Sequence, residues 1–243
     1  TKMVRPHIAV ITNVELVHVE NFESLESIAD AKAEILAGLE DGGVCILNRD
    51  NDQFDRLYSA ALSAGVRNTV SFGMHAEAYA RPINILPDFE GSDVDALIGG
   101  KELSYRIGNP GKHWVVNSLA VLATVDAAGG DVAQAALVLA DMPGLRGRGR
   151  VHSISITGGS FVVIDESYNA SPASMQAAIN VLGQTPPKGR GRRIAVLGDM
   201  LELGFKSAAC HQALACSLIA ESVDLVFTAG PYMDALCNIL PQP

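Results

Sequence analysis

Residues 161–172 read Phe161-Val162-Val163-Ile164-Asp165-Glu166-Ser167-Tyr168-Asn169-Ala170-Ser171-Pro172, four apolar residues that end abruptly in two carboxylates and a polar run. An apolar run without alternation predicts a strand covered on both faces. Ser171 and Pro172 predict the N-cap and first residue of a helix. Asp165, Glu166, Ser167, Tyr168 and Asn169 then fall in a strand-to-helix loop, and in open α/β sheets such loops line the ligand crevice.

The same rhythm recurs on either side. Upstream, His7–Thr12 and Val44–Leu47 read as buried strands and Thr69–Phe72 as a short strand. Helical spacing of Leu25, Ile28, Ala29, Ile35, Leu36 and Leu39, starting at Ser24 and stopping at Asp41-Gly42-Gly43, separates the first two. A helix from Asp52 to Ala64, closed by Gly65, separates the next two. This is the βαβ order of a parallel sheet. From Ala78 to Ile107 the pattern changes to short alternating strands with a turn at Gly99-Gly100, predicting antiparallel hairpins in the same domain. A long helix from about His113 to Ala128 and another capped by Asp131 follow.

Met142–Arg150, MPGLRGRGR, has the proline, glycine and charge density of a linker. It divides the chain into domains at 1–142 and 143–243. Beyond it come a hairpin over Val151–Ile164 turning at Gly158-Gly159, and a helix with Met175, Ala178, Ile179 and Leu182 on one face. A strand at Ile194–Leu197, read as buried, ends in Gly198-Asp199, and a helix over Ser207–Glu221 and a strand at Leu225–Thr228 close the pattern. The expected class is α/β: a mainly parallel sheet with antiparallel hairpins, then a Rossmann-like second domain. Three strand-helix units are few for a doubly wound sheet, so that domain reads as truncated. The start at Thr1, close to a strand, reads as a piece of a longer protein.

Composition narrows the function classes. The chain has 243 residues, 48% hydrophobic and 19% charged, with a formal net charge of -9. That excess of acid speaks against a general binder of nucleic acid or anionic membranes, both of which call for a basic surface. No apolar stretch approaches the roughly 20 residues of a membrane span. Cys45, Cys210, Cys216 and Cys237 show no CxxC spacing and read as reduced packing residues of a cytoplasmic protein.

Several residues carry possible chemistry. Lys32 falls on the apolar stripe of its helix, with Leu25, Ile28, Ile35 and Leu36 at minus seven, minus four, plus three and plus four, so the spacing predicts that it points inward. Either it snorkels to the rim, or its amine is carbamylated by CO2 and becomes an anionic oxygen ligand for Mg2+. His18, in the preceding loop, is a second metal-ligand candidate or an ordinary surface residue. His113 and Asn117 share a helix face one turn apart; Asn117 can pair with the N6/N7 edge of adenine, or both are an exposed helix start. Arg146, Arg148 and Arg150 alternate with glycine, suited to clamping phosphate oxygens or to a solvated linker. Asp165 and Glu166 could orient a ribose, a metal-bound water or an amine nucleophile, and Asp199 and Glu202 are loop carboxylates of the same kind. No GxxxxGK[ST] phosphate loop is present, which by itself argues against ATP chemistry.

Taken jointly and in this order, DESYNASP, VLGDMLELG with His211 downstream, GKHWVVNSLA and AVITNVELVHVENFESLESIADAKAEIL resemble the Mur ligases over essentially the whole chain, and most closely their dipeptide-adding branch. The resemblance implies the later part of a central ATPase domain, followed by most of the C-terminal domain. It implies ATP-dependent amide ligation through an acyl phosphate, joining D-alanyl-D-alanine to UDP-N-acetylmuramoyl-tripeptide in peptidoglycan precursor synthesis, with two Mg2+ ions. By the same resemblance His18 is the metal-binding histidine and Lys32 the carbamylated lysine. His113 and Asn117 lie at the adenine, and Arg148 is the arginine that reaches ATP phosphates. Asp165, Tyr168 and Asn169 face ATP and the dipeptide when the C-terminal domain closes, and Glu166 shares the catalytic loop. Ser171 stands where the family usually has Asn, and Trp114 where Asn is often found. A monomer is expected, inactive without the phosphate loop. The alternatives are another Mur or folylpolyglutamate-type ligase, or a noncatalytic nucleotide- or partner-binding module.

Overall fold

The computed structural model describes residues 3–15, 22, 24–142, 144–187 and 189–241. They fall into two units: one holds the described residues up to Met142 except 109–111, the other holds 109–111 and the described residues from 144 on.

In the first unit a six-stranded sheet runs in sequence order through β1 (Ile8–Ile11), β2 (Val44–Asn48), β3 (Asn68–Phe72), β4 (Ala80–Pro87), β5 (Ser92–Ile98) and β6 (Lys101–Ile107). β1, β2 and β3 pair in parallel, joined by α1 (Leu25–Ala33) and α2 (Phe54–Ser63). β3 meets β4 in parallel at the single pair Phe72 and Ala80. β4, β5 and β6 are antiparallel, and Gly99 and Gly100, with φ of 57° and 82°, turn the chain between the last two.

The mainly apolar run of β2 is explained by cover on both faces. Cys45 and Leu47 pack against Ile28, Ala29, Phe54, Leu57 and Ala61 of α1 and α2. Ile46 points the other way, into a core built on Val115, Leu119, Leu122 and Ala123 of α3 (Lys112–Ala127). The period of two along a strand therefore feeds two cores from one short segment. α4 (Val132–Val138) begins at Asp131, whose carboxylate accepts from the Ala133 and Gln134 N–H groups.

α1 starts in a capping box, Ser24 Oγ accepting from Ser27 N–H and Ser27 Oγ from Ser24 N–H. Lys32, expected to point inward, is exposed. Lys32 stands in the last turn of α1, one turn after the buried Ile28, and there its ammonium keeps its water, as the snorkelling alternative expects. Ile35 and Leu36 belong to the 3₁₀ helix that follows over 34–38 and so leave the α register. Ile28, Ala29 and Leu36 are buried while Lys32 is not.

In the second unit β7 (Arg150–Ile156) and β8 (Gly159–Asp165) form an antiparallel hairpin. α5 (Pro172–Gln184), β9 (Ile194–Gly198), α6 (Ser207–Ala220), β10 (Leu225–Ala229) and the short α7 (Asp234–Cys237) follow, with β9 and β10 parallel. Ser171 caps α5 through Ser174 and Pro172 occupies its first turn, an arrangement worth about 1 kcal/mol. The core here joins Ile179, Ala195, Leu214, Leu218, Met233 and Leu236.

Two strand expectations need correction. β8 is not covered on both faces: Phe161 is 46% exposed, and Val162 and Val163 are exposed as well. Among the described residues it pairs only with β7. β9 is buried on one face only, with Ala195 inside and Val196 76% exposed. An apolar run reports what a strand can bury, and the same run fits one covered face or two.

Candidate functional site

A cluster of polar contacts in the second unit lies where β8 ends. The Asp165 carboxylate accepts from Ser167 N–H at 3.1 Å and Ser167 Oγ at 2.6 Å through Oδ1, and from Gly147 N–H at 3.0 Å through Oδ2. The Asp165 carbonyl accepts from Gly149 N–H at 2.9 Å, and the Gly147 carbonyl accepts from Tyr168 N–H at 3.1 Å. The glycine-rich segment 144–149 is thus laced to the loop 165–168. Gly147 has φ of 73°, and a Cβ there would sit 2.9 Å from the Tyr168 backbone nitrogen, so a side chain is excluded both by conformation and by space.

Arg148 meets this loop through its side chain. The Arg148 guanidinium lies over the Tyr168 ring, 4.3 Å from its centroid, a cation–π stack. Arg150 opens β7 opposite Asp165. Ser167, whose hydroxyl holds the Asp165 carboxylate, was not singled out from sequence; its place two residues beyond the Asp was the available signal. Asn169 is exposed and accepts from Ala170 N–H.

The two adjacent carboxyls have opposite electrostatics. Hydrogen bonds from the Ser167 hydroxyl and N–H, with help from Gly147 N–H and His152, hold Asp165 below the ordinary aspartate value. Burial pushes Glu166 up, and the Asp165 charge beside it adds to the rise, against the opposing pull of Gly149 N–H and Arg148. The neighbouring carboxyls are thus pushed apart: the charged form is favoured at Asp165, and the neutral form is favoured at Glu166 relative to an ordinary glutamate.

In the first unit, His113 and Asn117 occupy the first turns of α3. Asn117 is exposed; His113 is half-buried, and burial lowers its pKa so that the neutral ring is favoured. The ring stands 5.7 Å from that of Trp114, tilted by 42°. Trp114 itself packs against the α3 core, and its indole N–H is buried without a hydrogen-bond partner among the described residues.

The carboxyl ends of the parallel strands carry a polar network that no sequence motif marks. Asn48 Nδ2 donates to the Thr12 carbonyl and Asn51 Nδ2 to the Val14 carbonyl, each at 3.0 Å. Asp50 accepts from Met74 and His75 N–H at 2.6 and 2.9 Å. The run Asn48-Arg49-Asp50-Asn51, set directly after a buried strand, was its sequence signal.

For a metal, Lys32 is exposed at the last turn of α1, which leaves its amine accessible to CO2. His18 lies outside the described residues. Among the described residues no group of three or more His, Cys, Asp or Glu side chains is placed to hold a metal. Mg2+ commonly takes one or two protein oxygens and completes its shell with phosphate oxygens and water. A single carbamate oxygen from Lys32 fits that chemistry.

Comparison with known proteins decides the family. Residues 1–125 match the Mur ligase middle domain and residues 149–241 the Mur ligase, glutamate ligase domain. The chain belongs to the Mur ligase family. Among its relatives, the UDP-N-acetylmuramoyl-tripeptide--D-alanyl-D-alanine ligase of Rickettsia prowazekii is 31% identical over 241 residues, 99% of this chain and 52% of that protein. The enzyme of the same name from Bacillus subtilis is 33% identical, over 95% of this chain and 47% of its own length. A crystal structure of MurF from Acinetobacter baumannii superposes with a TM-score of 0.84 at 28% identity, covering 97% of this chain and 49% of that one. MurF ligase from Thermotoga maritima in complex with ADP gives 0.81 at 25% identity, over 97% and 52%. This Mur ligase chain spans about half the length of the curated relatives it matches. Among its described residues no helix is long and apolar enough to cross a membrane.

Proposed function

We propose that the protein carrying this chain is an ATP-dependent ligase that joins D-alanyl-D-alanine to UDP-N-acetylmuramoyl-tripeptide in the cytoplasm, within peptidoglycan precursor synthesis. The observation that carries the reading is the loop cluster of Arg148, Asp165, Glu166 and Tyr168, in a chain about 30% identical to ligases of that name. Those loops gather a stacked cation for phosphate, a fixed anion and a proton-exchanging carboxyl at the end of one strand.

In the reaction a carboxylate oxygen of the tripeptide attacks the γ-phosphorus of ATP, and ADP leaves. The dipeptide amine then attacks the acyl carbon, and phosphate leaves with the electron pair of the C–O bond. Arg148, with one face on Tyr168, keeps its guanidinium edge for phosphate oxygens. Asp165 holds the two loops in register. Glu166, whose raised pKa brings it toward the working range of a base, takes a proton from the amine as the amide forms. His113, neutral, and Asn117 on the same face of α3 hold the adenine. Lys32, carbamylated, would supply an oxygen to one of two Mg2+ ions, and His18 would hold the other. Mg2+, when bound, offsets charge on the transferring phosphoryl group.

The test is phosphate release by the protein at the full length of its relatives, supplied with ATP and Mg2+. Release is expected to require both UDP-N-acetylmuramoyl-tripeptide and D-alanyl-D-alanine. Release driven by glutamate or a folate would assign the chain to another branch of amide ligases, and nucleotide binding without turnover would make it a binding module.

A further inference from the structure

The segment that carries Arg148 is held by a linked set of bonds, and one hydroxyl in that set has no part in the chemistry above. Three successive amides donate: Gly147 N–H to Asp165 Oδ2 at 3.0 Å, Arg148 N–H to the Leu145 carbonyl at 2.9 Å, and Gly149 N–H to the Asp165 carbonyl at 2.9 Å. The Gly147 carbonyl accepts from Tyr168 N–H at 3.1 Å, and the Tyr168 ring lies under the Arg148 guanidinium. Asp165 thus reaches the residues on either side of Arg148, and the side chain of Arg148 comes back to the loop that Asp165 opens.

The tie to Gly147 lasts only while the Asp165 carboxylate keeps one orientation. The terminal torsion of an aspartate is soft, with a broad, roughly two-fold profile, and this carboxylate is partly open to competing water. What pins it is Ser167, which meets Oδ1 twice, through its hydroxyl at 2.6 Å and its N–H at 3.1 Å. The hydroxyl bond is the shorter and is charge-assisted, and it is the largest cause of the low Asp165 value. Of the donors to this carboxylate it is the one on a side chain; the others are backbone amides, which every residue but proline supplies. Ser167 is itself exposed, so its side chain fills no core.

We propose that Ser167 is a positioning residue for Arg148: its hydroxyl fixes the Asp165 carboxylate, the carboxylate fixes the turn at Gly147, and the turn holds the guanidinium over Tyr168. The proposal rests on the ligase reading above, in which Arg148 meets ATP phosphates, and adds to it the residue that orients this arginine. Ser167 touches no substrate. Without its hydroxyl the carboxylate rotates more freely, the Gly147 amide loses a steady acceptor, and the guanidinium edge is less often where a phosphate oxygen would find it.

The experiment is steady-state kinetics on the full-length protein, with KM measured for ATP, UDP-N-acetylmuramoyl-tripeptide and D-alanyl-D-alanine, and with hydrogen exchange followed at Gly147. Ser167→Ala is expected to raise KM for ATP about fivefold, to leave the other two KM values within about twofold, and to speed exchange at the Gly147 amide. Ser167→Thr, which keeps a hydroxyl, should recover most of both changes. In the double variant of Ser167→Ala with Arg148→Ala, KM for ATP is expected to match that of Arg148→Ala alone, because a residue that acts through Arg148 then has nothing to act on. An unchanged ATP KM in Ser167→Ala, no recovery in Ser167→Thr, an equal rise in all three KM values, or losses that add in the double variant would overturn the positioning role and leave the ligase reading intact. A wild-type protein with no dipeptide-dependent turnover would overturn the ligase reading, and this proposal with it.

Discussion

Arg148 stacks on Tyr168, with the guanidinium carbon 4.3 Å from the ring centroid, and this contact joins a segment that reads as linker to a loop that reads as active site. The stack exists because Gly147 and Gly149, with φ of 73° and 79°, let the chain curl so that both of their N–H groups reach Asp165. Arg148, between them, is left facing the ring.

The stack requires a planar cation. Arg148→Lys preserves the charge and loses the flat guanidinium, so KM for ATP is expected to rise about tenfold, and somewhat more in Arg148→Ala. Tyr168→Phe keeps the ring face and should stay within about twofold of wild type in initial-rate assays. An equal loss in Tyr168→Phe would move the role from the ring to its hydroxyl.

Gly147 is irreplaceable for two separable reasons. Gly158, at the β7–β8 turn, has φ of 88° and open space around its α-carbon, whereas a Cβ at Gly147 meets Tyr168. Gly158→Ala is expected to cost about 1–2 kcal/mol, the strain of the left-handed region alone. Gly147→Ala should cost more, read as a larger fall in denaturant midpoint at unchanged slope. Equal midpoints would mean that Tyr168 yields without penalty.

Glu166 sets an acid limb. Its pKa is raised by burial and by Asp165, and a base must be ionised to take the amine proton. Activity therefore falls as pH drops through this raised value, above the usual glutamate range near 4.3. Glu166→Gln is expected to lower kcat about a hundredfold and to remove that limb from the pH–kcat profile. A limb retained in Glu166→Gln would assign it to another group.

Much of this was legible in the sequence, and the misses have physical causes. The βαβ order, the Ser24 and Ser171 caps and the Gly99-Gly100 turn are local: propensity, spacing and capping chemistry act over a few residues. Lys32 shares the face of Ile28 by spacing, yet its ammonium is in water at the last turn of α1, which is the snorkelling alternative rather than the inward-pointing one. β8 and Val196 were read as buried because apolarity records a capacity for burial rather than the presence of a covering layer. Within the site, the Asp165 loop announced itself by composition. The bonds from Gly147 and Gly149 and the Asp50 ties to Met74 and His75 depend on tertiary approach. Nothing in residue spacing encodes that approach.

Exposure of Lys32 makes its role separable from packing. Lys32→Ala should leave the thermal midpoint within about 2 °C of wild type, since nothing buried is lost. It is expected to abolish ligation in the full-length protein, and added short carboxylates should restore part of the activity by supplying the missing anionic oxygen. Full activity in Lys32→Ala would make it an ordinary surface lysine.

The measurement that bears most directly on the ligase reading is the mass of the nucleotide-sugar product. The full-length protein would be incubated with UDP-N-acetylmuramoyl-tripeptide whose terminal carboxylate carries 18O, together with D-alanyl-D-alanine, ATP and Mg2+. The predicted product is heavier than the tripeptide by one dipeptide less water, with one 18O delivered to the released phosphate for each amide formed. An unextended tripeptide, or an extended one whose phosphate carries no label, would contradict ligation through an acyl phosphate.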